Sequence, residues 1–136
     1  MTTELTWLGH SAFRLDSPGG KRIYVDPFLN GNPKCPESEL EDGFKIYFSG
    51  DTNVFGDMSL IGRIYSPDVA VLPIGDHYTM GPREAAVAIE LLGVVRCVPC
   101  HYGTFPLLTG TPESLRKLVS AGVEILSPKP GETLSF

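Results

Sequence analysis

The sequence predicts an α/β fold, on three observations. In the C-terminal two thirds, apolar runs of strand length alternate with segments whose apolar residues recur at helical spacing. That is the pattern of a parallel sheet with crossover helices. The N-terminal third holds only short strand-like runs separated by turn residues. Two of the apolar runs also empty into residues of metal-ligand type. One is Tyr47-Phe48-Ser49-Gly50-Asp51-Thr52; the other, about fifty residues later, is Pro99-Cys100-His101-Tyr102. A carboxylate and an imidazole carried on strand ends sit where open α/β sheets put their chemistry.

The elements follow in order. Leu5 to Leu8, Ala12 to Leu15 and Ile23 to Val25 read as strands of a β-meander, the last two joined by a turn through Asp16-Ser17-Pro18-Gly19-Gly20. Asn30-Gly31-Asn32-Pro33-Lys34-Cys35-Pro36 is a loop, because its prolines and Asn-Gly cannot continue a ladder. Phe44 to Phe48 is the next strand. Met58, Leu60, Ile61 and Ile64 form one apolar helical face that ends near Tyr65, where Ser66-Pro67 closes it. Val69 to Leu72 is a buried strand. Pro82 opens a helix with Ala85, Ala86, Ala88, Ile89 and Leu92 on its apolar face, and Gly93 stops it. Val94 to Val98 is another apolar strand. Thr111 as N-cap and Pro112 at the first position begin a helix to about Ala121, stopped by Gly122. Val123 to Leu126 and a tail strand, Thr133 to Phe136, complete the chain.

At 136 residues the chain is read as a single domain, 1–136, long enough to bury its own core. Hydrophobic content of 42% and charged content of 20% suit a folded globular protein. The net charge of −5, with scattered Lys and Arg, argues against a nucleic-acid surface and for a small-molecule substrate. No apolar run reaches the ~18 residues of a spanning helix, so no membrane contact is expected. Cys35, Cys97 and Cys100 are an odd number in a sequence with no export signal, which favours reduced thiols and a cytoplasmic location.

Several segments together carry a family resemblance: Thr6-Trp7-Leu8-Gly9-His10-Ser11-Ala12-Phe13, Val25-Asp26-Pro27-Phe28, Ser49-Gly50-Asp51-Thr52, the run from Leu72 to Pro82, and Pro99-Cys100-His101-Tyr102. In this order they resemble the metallo-β-lactamase superfamily, in particular the UPF0173 metal-dependent hydrolases related to the ascorbate-phosphate lactonases. The resemblance implies a four-layer αββα sandwich with a dinuclear zinc or manganese site at one edge of its sheets. Asp51 resembles the carboxylate that bridges the two metals, and His101 the last histidine ligand. Asp26 resembles the strand-end Asp that orients ligands. His10 and His77 match positions at the pocket mouth, where they would contact substrate. The implied chemistry is hydrolysis of an ester, lactone or phosphoester by a metal-activated water.

The chain departs from that pattern in one large respect. The family's His-x-His-x-Asp-His segment is absent, as is the further His before the Gly-Asp-Thr strand; the only histidines are His10, His77 and His101. Asn30-Gly31-Asn32-Pro33 resembles the loop before the signature, and Glu41 to Tyr47 resembles the strand entering Gly-Asp-Thr. The sandwich is therefore expected to be incomplete in its first half, with a deletion seam near residues 34–42. A natural deletion, an artificial excision and a longer protein with its centre left out all fit the seam. With two protein ligands kept where a catalytic zinc has three, weak metal binding is expected. The competing function is a catalytically inactive remnant that binds a ligand or forms a homo-oligomer through its uncovered sheet.

Each feature also has a plainer reading. Asp51 after Gly50 is a common turn former, His101 after an apolar strand a common edge residue, and Asp26 before Pro27 a turn start. His10 and His77 also suit capping or packing. Cys97-Val98-Pro99-Cys100-His101 spells the c-type haem attachment motif, but the run reads as a strand with its two cysteines on opposite faces. The preferred reading is two structural strand cysteines near a histidine. No Gly-rich phosphate loop and no Gly-x-Ser-x-Gly nucleophile turn occurs in the sequence.

Overall fold

The computed structural model describes residues 2–9, 12–25 and 44–136. His10, Asp26, Cys35 and the seam at 34–42 lie outside the described residues. The chain divides into two compact units, Met1–Gly43 and Phe44–Phe136.

In the first unit, β1 (Glu4–Gly9), β2 (Ala12–Asp16) and β3 (Arg22–Val25) form an antiparallel sheet in the order β1-β2-β3, the meander expected from the sequence. The turn between β2 and β3 is set by Ser17. Its N–H donates to the Lys21 carbonyl at 2.8 Å, and its hydroxyl accepts from Lys21 N–H at 3.0 Å. Gly20, at φ +76°, supplies the left-handed step that closes it. At the mouth of the turn the Asp16 carboxylate takes Arg14 at 2.7 Å and Arg22 at 2.8 Å. The hydrogen bond from Arg22 is the largest influence on its carboxyl; burial opposes it, and Arg14 adds to it, so that the carboxyl is held below the usual range.

The second unit is a four-stranded parallel sheet, β4 (Ile46–Phe48), β5 (Val69–Pro73), β6 (Arg96–Cys100) and β7 (Glu124–Ile125), in the order β4-β5-β6-β7. The crossovers run through α1 (Met58–Tyr65), α2 (Pro82–Leu92) and α3 (Pro112–Arg116). Strands in sequential order with crossovers of one hand place every helix on one face. Accordingly α1 packs on α2 and α2 on α3. Met58, Ala70, Leu72, Ala85, Ala88, Ile89, Leu92, Cys97 and Ile125 fill the layer between them and the sheet.

Sequence punctuation sets the helix ends. Ser66 takes the left-handed position at φ 45° after α1 and donates to the Gly62 carbonyl. Glu84 accepts from Gly81 N–H at 3.2 Å at the start of α2, and Gly93 at φ 67° ends it. The Thr111 hydroxyl accepts from Ser114 N–H at 3.2 Å at the start of α3.

The structure corrects four sequence expectations. α3 stops at Arg116, not near Ala121, because Arg116 reaches across to the Ile125 carbonyl at 3.1 Å and the Ser127 hydroxyl at 2.6 Å, drawing the helix end onto β7. Residues 133–136 form no strand. Pro128 and Pro130 interrupt pairing, and Phe136 instead stacks on Phe44 at 4.8 Å. Phe44 accordingly lies before β4 and not within it. β6 begins at Arg96, two residues later than Val94, because pairing Ala70 with Cys97 fixes its register while Val94 is buried in the preceding turn. Among the described residues, no helix is long and apolar enough to cross a membrane.

The closest helix approach gives a test. A Cβ on Gly62 would meet the Leu92 carbonyl oxygen at 2.3 Å, and backbone cannot move aside cheaply, whereas a Cβ on Gly56 meets nothing within 4 Å. Gly62→Ala should destabilise the fold by about 1–3 kcal/mol despite alanine's better helix propensity. Urea unfolding should show a lowered midpoint for Gly62→Ala and an unchanged one for Gly56→Ala.

Candidate metal centre

Three loops leave the C-terminal ends of three neighbouring parallel strands, and each carries one of the residues singled out from the sequence. After β4 the ladder continues one step, with Ser49 N–H donating to the Val71 carbonyl at 3.2 Å. Gly50 then turns left-handed at φ 69° and delivers Asp51, exposed, at the sheet edge. The following residue is tied down, its Thr52 carbonyl accepting from Met80 N–H at 3.2 Å.

After β5, Ile74 stays on the ladder by donating to the Cys100 carbonyl at 3.1 Å. The loop beyond it closes through Asp76 N–H to the Met80 carbonyl at 3.0 Å, with Asp76 at φ 66° and Tyr78 at φ 65°. His77 lies in this loop, half-buried, its ring edge-on to Tyr78 at 4.1 Å. Gly75 lets the loop lie against the backbone after β6, since a Cβ there would stand 2.2 Å from the His101 carbonyl oxygen.

After β6 comes His101, at φ 52°, a left-handed conformation that side chains other than glycine seldom adopt. Its Nδ1 is buried without a hydrogen-bond partner. Strands are spaced about 4.8 Å apart, so β4 and β6 run roughly 10 Å apart with β5 between them. The topology therefore brings Asp51, His77 and His101 to one edge of one sheet. His10 and Asp26 lie outside the described residues.

Cys100 belongs to this edge, although the sequence reading treated it as structural. Cys97 fits that reading: it lies in the core, and burial, followed by the charge of Cys100, pushes its thiol up to about 12. Cys100 points to the opposite face and is only half-buried; burial, then the negative charge of Asp51, raises its thiol. The signal was present in the sequence, since strand alternation already put Cys100 on the face opposite the core and next to His101.

A catalytic zinc takes three protein ligands and a structural zinc four. The unpartnered His101 Nδ1 is an orphaned donor of the type a cation satisfies. Among the described residues, however, no three His, Cys, Asp or Glu side chains gather into a group that could hold a metal ion. The described residues by themselves therefore do not make a metal centre.

Comparison with known proteins gives the context. Two family models, each described as a β-lactamase superfamily domain, match residues 4–41 and 38–102. A UPF0173 metal-dependent hydrolase of Rubrobacter xylanophilus is 33% identical over 232 aligned positions that cover 97% of this chain and 96% of that protein. A chain of 136 residues cannot fill 232 positions, so about 100 of them have no counterpart here, and they fall inside the alignment. UPF0173 relatives from Korarchaeum cryptofilum and Cupriavidus necator are 55% and 50% identical over 68% and 78% of this chain, but over only 43% and 38% of their own lengths. The structure of Igni18, a metallo hydrolase from Ignicoccus hospitalis, matches 98% of this chain and 52% of its own at 33% identity and a TM-score of 0.60. A Thermotoga maritima structure of the metallo-β-lactamase superfamily, 19% identical, shares the fold at a TM-score of 0.55, over 93% of this chain and 98% of its own.

The link between Asp51 and Cys100 is open to measurement. Raised thiol values leave little thiolate at neutral pH, so both cysteines of β6 should alkylate more slowly than a free thiol and accelerate as pH rises, Cys100 before Cys97. Asp51→Asn removes the negative charge and should speed alkylation of Cys100 at fixed pH while leaving Cys97 unchanged. Mass spectrometry of iodoacetamide-treated protein reads both.

Proposed function

We propose, from the premise that this chain belongs to the UPF0173 metal-dependent hydrolases of the metallo-β-lactamase superfamily, that it carries one half of a hydrolase site at the C-terminal edge of β4, β5 and β6. Asp51 and His101 are its metal-side residues, and His77 lines the approach for substrate. Asp26 and His10 keep the orienting and substrate-contacting roles their motifs suggest. The substrate class is a small ester, lactone or phosphoester, and the cation zinc or manganese.

One observation carries this reading. A carboxylate, two imidazoles and a half-buried thiol are placed by three consecutive parallel strands at one edge, and an unpartnered buried nitrogen of His101 is among them. A buried nitrogen left without a hydrogen bond costs about 1–3 kcal/mol, which a fold keeps at a site and seldom elsewhere. Asp51, exposed and anionic, favours a cation or a cationic group at this edge over an anion. The count of two metal-side residues, Asp51 and His101, sets the limit: by themselves they hold a divalent cation weakly, and turnover requires donors beyond the described residues. A second reading, a remnant that binds a ligand or a second chain without catalysis, is favoured by that same count.

Metal analysis after dialysis, together with hydrolysis of generic lactone and phosphodiester substrates, decides between a half site and a complete one. The half site predicts less than stoichiometric Zn²⁺ or Mn²⁺ and rates no higher than those of Asp51→Ala. Stoichiometric metal that survives dialysis, with turnover lost in Asp51→Ala, would overturn it.

A further inference from the structure

The outer side of α2 carries a surface unrelated to the strand-end site. A groove of about 400 Å³ runs along it, bounded by Arg83, Val87 and Glu90 on the helix and by Leu118 beyond α3, over the buried side chains of Ile89 and Val94. Val87 is 44% exposed and Leu118 52%, so the groove has an apolar wall open to solvent. Arg83, Val87 and Glu90 stand at i, i+4 and i+7 and so share one face of the helix. Among the described residues, neither Arg83 nor Glu90 enters an ion pair.

The stripe therefore reads cation, apolar, anion along the helix axis. Such a stripe is complementary to itself when reversed. The midpoint between Arg83 and Glu90 falls at Ala86 and Val87; Ala86 packs against the core, so the exposed Val87 is the side chain at the centre of the stripe. Laid antiparallel about a two-fold axis at that point, two α2 helices put each Arg83 opposite the partner's Glu90. Val87 then meets its own copy at the centre, and Leu118 covers the rim from both sides. This is the isologous geometry of a symmetric dimer, in which each contact occurs twice.

We propose that this face of α2 binds a second copy of the chain, in an antiparallel dimer held by two reciprocal Arg83–Glu90 pairs around an apolar centre. The charges specify orientation, and the exposed Val87 and Leu118 supply the apolar burial. The inference stands whether or not the strand-end site turns over, since none of that site's residues takes part.

Sedimentation of the full chain from micromolar to millimolar concentration tests it. The expected result is a monomer–dimer equilibrium that weakens with added salt. Arg83→Glu and Glu90→Arg should each raise the dissociation constant by about tenfold or more, because each makes both ends of the stripe one sign. Mixing the two single variants should restore association as a heterodimer, since their stripes then carry opposite signs, and the double variant should self-associate as the original does. Restoration on mixing also shows that both variants are folded. A chain that stays monomeric throughout, association indifferent to the single swaps, or failure of the mixture to associate would each overturn the proposal.

Discussion

The pairing of β5 with β4 on one side and β6 on the other is the constraint on which the second unit depends. β5 is buried along its whole length, from Val69 to Pro73, so it can only be the interior strand of a covered sheet. Its parallel neighbours are the strands before and after it in sequence, which obliges each connection to cross on the same hand and leaves all three helices on one face. The remaining consequence is chemical. Parallel strands all end at the same edge, so the loops after β4, β5 and β6 emerge side by side without any contact between the functional residues being needed to bring them there.

Local exceptions then shape that edge. Gly50 turns left-handed to release Asp51, Gly75 permits the β5 loop to lie against His101, and His101 itself accepts a backbone conformation unfavourable for a side chain. Each exception costs conformational or steric freedom, and they cluster where the titratable residues cluster, which is the usual distribution of tolerated strain. The charge arrangement is uneven as well. Asp51 faces solvent, while the Cys100 thiol is half-buried and held neutral, and the His101 Nδ1 has lost water without gaining a partner. Among the described residues this edge holds an anion and a desolvated nitrogen without a third donor gathered beside them.

The incompleteness has a counterpart on the sheet. On β4 Tyr47 packs into the core, but Ile46 and Phe48 point the other way and are 55% and 71% exposed. Two large apolar side chains on a three-residue edge strand are an unfavourable arrangement for an isolated sheet. The relatives that span this chain from end to end are longer by about 100 internal positions, and neither a third metal donor nor a cover for Ile46 and Phe48 is found among the described residues.

Much of this was legible before any coordinates, and the reasons are local. Ser66-Pro67, Gly93 and Thr111-Pro112 act on the residues beside them, so the limits of α1 and α2 and the start of α3 follow from short-range chemistry. Unbroken apolarity identified β5, and the strand-end positions of Asp51 and His101 followed from the same pattern. What the tertiary structure alone decided depends on partners distant in sequence. Arg116 shortens α3 by binding residues nine and eleven positions on, Phe136 abandons a strand for Phe44, and the register with β5 moves the start of β6. The placement of Cys100 in the field of Asp51, across an intervening strand, is of the same kind. A sequence specifies its turns and caps through neighbours; it specifies register, burial and the electrostatic surroundings of a thiol only once the chain has closed on itself.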